Sequence, residues 1–179
     1  MVKVLIPREW DAGETRVASS PEVVKRLAGR QVQCRVERGA GQQAGFSDED
    51  YAAAGADLVT PGDSATWSET DIVLSVGPLG NNTKGLKPGA LVIGQLAPHN
   101  NNDLLDQLET GKLSAISLEL LPRISRAQAM DVLSSQANIA GYKAVLLAAA
   151  ALAAACAAAA AALALCCAAA LAMRSLAER

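Results

Sequence analysis

Residues 1–37 read MVKVLIPREWDAGETRVASSPEVVKRLAGRQVQCRVE. Val2 to Ile6 is a short apolar run stopped by Pro7, which predicts a buried first strand. Trp10 to Ser20 is polar and contains Gly13, so it reads as a loop. Pro21 suits the first turn of a helix, where its missing N–H would have had no partner anyway. That helix runs through Glu22-Val23-Val24-Lys25-Arg26-Leu27 and ends near Gly29. Val32, Cys34 and Val36 then alternate with Gln33, Arg35 and Glu37, the period of a half-buried strand.

Outward from this unit the same alternation continues. Arg38 to Gly45 is glycine-rich, and Ser47 with Asp50 opens a helix, Asp48 to Ala54, that Gly55 stops. Leu58-Val59 is a brief strand; Ile72 to Val76 and Leu91 to Gln95 are stronger ones. Leu104, Leu105 and Leu108 have helical spacing before Gly111, and Leu113 to Leu118 is the next strand. Strands thus alternate with helices about six times over residues 1–121, and no internal repeat interrupts them. The implied architecture is α/β, a doubly wound and mostly parallel sheet. The run Gly39-Ala40-Gly41-Gln42-Gln43-Ala44-Gly45 follows a strand, but its spacing is not that of a dinucleotide loop and no helix opens on it. It reads as a turn before Phe46.

The chain has 179 residues, enough for one domain and an appendage. Only 3% are aromatic, so the core rests on Val, Leu, Ile and Ala. A net charge of −2 with no basic cluster argues against a nucleic-acid partner. Charges at Lys3, Arg8, Glu9, Asp11, Glu14 and Arg16 break up any signal-peptide core. Cys34, Cys156, Cys166 and Cys167 lack metal-ligand spacing and read as reduced thiols of a cytosolic or matrix-like compartment.

Ala144 to Met173 carries no charge, and 18 of the 25 residues from Ala148 to Ala172 are alanine. Alanine is the best helix former, so a helix is predicted. Its length suits a membrane span. Alanine contributes little transfer energy, however, and Leu152, Leu163, Leu165 and Leu171 add most of it. The flanking charges, Lys143 on one side and Arg174, Glu178 and Arg179 on the other, give no orientation bias. The tract is expected to lie against protein or a second copy of itself.

Between the strand region and this tract, Pro122 to Tyr142 reads PRISRAQAMDVLSSQANIAGY. Ser125 and Gln128 have capping-box spacing and predict a helix start. From there Gln128, Asp131, Ser134 or Ser135, and Asn138 would form one polar stripe, with Arg123 and Arg126 at the positive end. By pattern alone this is a capped, solvated helix face.

The segment from Pro122 to Val145 closely resembles the signature of the NAD-binding (alpha) subunit of proton-translocating NAD(P) transhydrogenase. The N-terminus, Ile6-Pro7-Arg8-Glu9 followed by Glu14-Thr15-Arg16-Val17-Ala18, resembles an opening shared by that family and the alanine dehydrogenases. In the dehydrogenases the arginine matching Arg16 grips the substrate carboxylate, a task suited to a planar fork of donors. They also carry a lysine where this chain has Ser75-Val76-Gly77-Pro78, and a histidine within the stretch matching Gly94-Gln95-Leu96-Ala97. The one histidine here, His99, sits in a Pro-His-Asn turn and is assigned no role. An amino-acid dehydrogenase needs an acid–base group; hydride transfer between two nicotinamides does not. The differences favour the transhydrogenase side.

The resemblance implies a Rossmann/flavodoxin-like N-terminal lobe over residues 1–143, with an Ala-rich helical tail over 144–179. It implies that Arg123, Ile124, Ser125, Gln128, Asp131 and Ser134 contact the nicotinamide of NAD(H), with Gln128 and Asp131 the reaction-positioning pair. NADP(H) would sit on a partner component, beside a membrane component that moves protons. A homodimer at the cytoplasmic face of the inner membrane is expected. The family's second, Rossmann-type NAD domain is not found after about Ala150, so the chain reads as truncated and, alone, inactive. The alternatives are an alanine dehydrogenase-like oxidoreductase and a non-catalytic regulatory or assembly fragment.

Overall fold

Lys3–Ile6 forms β1, and Leu5 and Ile6 are both fully buried on opposite faces of the sheet. The polar loop after it leads to Pro21–Ala28, α1, with the proline in the first turn as predicted. The chain returns as β2, Gln33–Glu37, parallel to β1 with Val4 beside Cys34. Then come α2 (Asp48–Ala53), β3 (Asp57–Val59), α3 (Ser64–Glu69), β4 (Ile72–Leu74), β5 (Leu91–Gly94), α4 (Asn102–Thr110) and β6 (Ser114–Ser117). All pairings are parallel, in the order β3-β2-β1-β4-β5-β6. This is the doubly wound α/β sheet that the alternation implied.

The computed structural model describes the backbone of residues 1–177, and the side chains of residues 1–160 apart from Asn81 and Asn82. The readings placed on the side chains of Leu163, Leu165, Cys166, Cys167, Leu171, Arg174, Glu178 and Arg179 lie outside these described residues.

Two apolar clusters cover the two faces of the sheet. Leu5, Val73 and Val92 meet Trp67 of α3 and Leu104 and Leu108 of α4. Ile6, Cys34 and Val36 meet Val24 of α1 and Tyr51 of α2. The alternation of Leu5 and Ile6 between clusters follows from the period of a strand. The glycine-rich turn after β2 serves packing: a Cβ on Gly41 would come 2.6 Å from the ring of Tyr51. Ser47 and Asp50 open α2 as expected, and they do so as a capping box in which each serves the other's backbone N–H.

One helix was not anticipated, and one local expectation fails. α3 has no apolar period for sequence reading to detect; it is started by Asp63, whose carboxylate accepts from Ala65 N–H and Thr66 N–H. The predicted helix start at Ser125 does not occur. Ala127, Met130 and Asp131 donate to carbonyls three residues back, so residues 124–131 form tight turns ending in a 3-10 turn, Gln128–Met130. Asp131 is extended (φ −75°, ψ 91°), which interrupts helical geometry before α5, Val132–Ala177, begins. Ser125 and Gln128 therefore precede the helix, and the expected stripe survives only from Ser134 onward.

The contacts divide the chain after Asp131. The second unit is α5, one continuous helix of 46 residues running through Lys143 and Ala144. Its Val132–Ala160 part is long and apolar enough to cross a membrane by length and composition.

At the C-terminal end of β2, Glu37 is 4% exposed. Its Oε2 accepts from Arg8 N–H (2.9 Å), and its Oε1 accepts from Gly62 N–H (3.0 Å) and Trp67 Nε1 (3.2 Å). One carboxylate thus ties the loops after β1 and β3 to α3. In Glu37→Gln one acceptor oxygen becomes an NH₂ that faces donors. A loss of about 2 kcal/mol or more of unfolding free energy is expected in urea titration, with fold retained. A variant within 0.5 kcal/mol (roughly the noise of a surface change) would contradict this role.

Candidate functional site

Strands are added outward in one direction from β1 to β3 and in the other from β4 to β6, so the order of winding reverses between β1 and β4. Loops leaving a parallel sheet at such a point diverge and leave a crevice beyond the strands' C-terminal ends. A crevice of about 810 Å³ lies there. It is lined by loop residues after β1 (Glu9, Trp10, Arg16), after β4 (Val76, Gly77, Pro78, Gly80) and after β5 and β6 (Gln95, Asn101, Glu119).

Glu9 spans the switch point. Its Oε1 accepts from Val76 N–H at 2.7 Å and its Oε2 from Gly77 N–H at 3.0 Å. Burial pushes this carboxyl above its usual value, against the pull of those two backbone donors. Glu9 thereby fills the backbone donor site that an anion would otherwise use.

Arg16 is held by Glu14. Its Nε and one terminal nitrogen donate to the two carboxylate oxygens at 2.8 and 2.6 Å, and its backbone N–H adds a bond of 2.9 Å. The Arg16 guanidinium holds the Glu14 carboxyl down at about 2.

The β5–β6 side is more strained. Ala97 has φ +45° and ψ 52°, left-handed values that cost a residue with a Cβ about 1 kcal/mol. Its N–H donates to Glu119 Oε1, which anchors the turn. Burial raises the Glu119 carboxyl, but the Ser117 hydroxyl and surrounding backbone N–H groups outweigh it and hold the group below its usual value. Ser117 Oγ and Glu119 Oε2 are both buried, and neither makes a hydrogen bond of proper geometry among the described residues. On the other wall Trp10, 62% exposed, lies against Gly80, where a Cβ would come within 3.0 Å of the indole.

The structure brings together three places that sequence reading compared one by one: Arg16, the Val76-Gly77-Pro78 turn and Gln95 all line this crevice. Among the described residues, neither lysine nor histidine lines it. His99 lies in the 3-10 turn Pro98–Asn100 and does not line it.

Of the residues read as nicotinamide contacts, Arg123, Ile124, Ser125 and Gln128 are exposed and Asp131 is half-buried, all in the turns after β6. Ala127 is their anchor, 6% exposed. Ser134 belongs to the first turn of α5, in the second unit. Sequence reading missed Glu9, Trp10, Asn101 and Glu119 as site residues. The available signal was positional: each follows a strand's C-terminal end, where an open α/β sheet places its ligands.

Residues 5–140 match the family profile described as alanine dehydrogenase/PNT, N-terminal domain. The chain is 43% identical over 148 residues to NAD(P) transhydrogenase subunit alpha of Cereibacter sphaeroides, covering 82% of this chain and 28% of that protein. It is 37% identical over 145 residues to NAD(P) transhydrogenase subunit alpha of Haemophilus influenzae, covering 80% of this chain and 28% of that protein. The crystal structure of transhydrogenase from Sinorhizobium meliloti superposes with a TM-score of 0.75 at 41% identity, over 80% of this chain and 43% of that one. The chain thus spans less than half the length of each of these relatives.

Glu14 gives the crevice a direct check. Its folded value lies below the usual one, so its contribution to stability is present above about pH 4.5 and is lost as pH falls toward 2. In a carbon-detected NMR titration Glu14 should titrate near 2, and Arg16→Ala should return it toward 4.5. An unchanged midpoint in that variant would mean that Arg16 does not hold it.

Proposed function

This chain belongs to the alanine dehydrogenase/PNT N-terminal domain family, and we propose that it is the NAD(H)-side lobe of a proton-translocating NAD(P) transhydrogenase. The observation that carries the reading is the lining of the crevice. Arg16 is already gripped by Glu14, and the two places where a dehydrogenase would keep its lysine and histidine hold Val76-Gly77-Pro78 and Gln95. Deprotonating an amino acid needs a base at such a place. Passing a hydride from one nicotinamide to another does not, so a crevice lined by neither lysine nor histidine among the described residues suits transhydrogenation better than oxidative deamination.

The residues fit one end of NAD(H) better than the other. Glu9, Asp11, Glu14 and Glu119 line the crevice against the single arginine, an electrostatic setting that repels a pyrophosphate. Arg123 and Arg126 are exposed on the turns after β6, where cations can meet phosphate or ribose groups. Bound NADH would supply the hydride at its nicotinamide C4.

In this reading the chain's own residues supply geometry. Gln128 and Asp131 orient the ring's carboxamide, Arg123 and Ser125 hold the turn, and Ile124, 54% exposed, gives the ring an apolar surface. Ser134 is assigned to the same role on the family resemblance alone. Fixing two reactants in a near-attack arrangement lowers the barrier without any proton being moved. NADP(H) lies on a partner component, a membrane component couples the exchange to proton movement, and the lobe works as a homodimer. Alone, the chain lacks transhydrogenase activity.

The rate in the complete assembly tests the reading. Gln128→Asn keeps the amide but withdraws it by one methylene. Single-turnover hydride transfer should fall on the order of a hundredfold, while NADH affinity changes by less than about threefold. A full single-turnover rate in Gln128→Asn would remove Gln128 from the mechanism.

The chain is also proposed to be peripheral, at the cytoplasmic face of the inner membrane, with α5 lying against protein. α5 is rich in small side chains, which permit close helix–helix approach. Alkaline carbonate should release the expressed chain from membranes. Retention in the pellet, with release only by mild detergent, would make α5 a span.

A further inference from the structure

One face of the sheet is covered over only half its width. Paired residues of parallel strands point to the same side, and side chains repeat every second residue. Val4 lies beside Ile72 and Ile72 beside Leu91; Leu74 lies beside Ile93 and Ile93 beside Ile116. These aliphatic side chains therefore share one face. α1 and α2 cover that face over the β1–β3 half, where Val24 and Tyr51 meet Ile6, Cys34 and Val36. Over β4, β5 and β6 only Leu74 packs against that cluster. Ile72, Leu91, Ile93 and Ile116 join neither apolar cluster among the described residues, and Ile116 is 40% exposed. α3 and α4 lie on the opposite face, against Val73 and Val92. A parallel sheet buries both faces, so this apolar half-face calls for a further layer.

Its dimensions fit a helix. Three strands about 4.8 Å apart span about 10 Å, the diameter of one helix, and four residues along a strand give about 13 Å, the length of roughly nine helical residues. α5 offers such a segment. Ile139, Tyr142 and Leu146 recur there at i, i+3 and i+7, on one side of the helix. Every side chain over residues 133–160 is exposed. We propose that the half-face over β4, β5 and β6 is an interface between two copies of this chain, each receiving residues 139–146 of the other's α5. The proposal rests on the reading above that α5 lies against protein and that the lobe works as a homodimer, and it names the surface.

Size selects this occupant. A face of about 10 by 13 Å is far smaller than the roughly 800 Å² that each partner contributes to a stable interface, so two sheets laid face to face would not hold. α5 has 46 residues and is therefore about 69 Å long, several times the length of the face. One face can cover only a short part of it, and the uncharged residues that follow Lys143 need a second cover. Reciprocal exchange about a two-fold axis supplies both: each helix crosses to the other copy's half-face, and the two helices lie along one another beyond it.

The test uses the full chain. Sedimentation at micromolar concentration should give twice the 18.4 kDa of one copy. In a mixture of carbon-13-labelled and unlabelled chains, isotope-filtered NOEs should join the Tyr142 ring of one copy to the Ile93 and Ile116 methyl groups of the other. Tyr142→Glu and Ile116→Glu should each weaken the dimer about tenfold or more. Both positions are exposed, and the buried Trp67 indole reports that each variant is folded. A monomer would overturn the proposal, and so would the same NOEs arising within one copy. A dimer indifferent to both substitutions would overturn this interface and leave the homodimer reading intact. Retention of the chain in membranes through alkaline carbonate would remove the reading of α5 and this proposal together. The hydride-transfer rate of Gln128→Asn judges the function independently of all these outcomes.

Discussion

A parallel sheet ends each strand by sending its loop across the same edge, so backbone N–H groups accumulate there without ladder partners. Here two carboxylates satisfy them. Glu37 takes three N–H donors from the loops after β1 and β3 and from the Trp67 indole; Glu9 takes two from the loop after β4. Each comes from the end of a strand or the residues just beyond it, so each is fixed by the sheet that it helps to hold. A water could satisfy the same donors, but it could not tie loops of different strands to one another. The rim, and with it the crevice, depends on these clasps.

That choice determines the crevice's chemistry. Using carboxylates for structure leaves a largely acidic mouth, in which Arg16 pairs with Glu14. A switch-point crevice commonly receives phosphate on bare backbone N–H groups. Glu9 occupies those groups here. The fold keeps the usual location for a crevice while giving it a largely acidic lining, and two exposed arginines, Arg123 and Arg126, lie on the turns after β6.

Much of the sheet was legible because its strands are short apolar runs bounded by Pro and Gly. Pro21, Gly29 and the Ser47–Asp50 box punctuate the helices as their physical chemistry dictates. α3 was illegible because Ser64–Glu69 carries one large apolar residue, Trp67, and is started by a capping Asp63 rather than by a period. The candidate site divided in the same way. Arg16, the Val76 turn and Gln95 could be named from motif comparison, but their meeting is a property of strand order. Glu9 lies within the opening motif, but nothing local marked it or Glu119 as a crevice residue, since each is placed by a backbone partner 67 or 22 residues away.

The error at Ser125 is informative about the segment itself. Its capping-box spacing is real, yet α5 opens only at Val132, because the preceding turns are closed by bonds to carbonyls three residues back and Ala127 is drawn into the core. A helix starting at Ser125 would have turned Gln128 and Asp131 into members of one regular stripe. A 3-10 turn instead separates them, presenting Gln128 exposed and Asp131 half-buried at the extended residue that closes the turns. For positional catalysis this is the more useful geometry. Ala127 is buried in the middle of these turns, and on the function proposed above that fixing matters, because a reactant misplaced by about 1 Å can cost on the order of a hundredfold in rate.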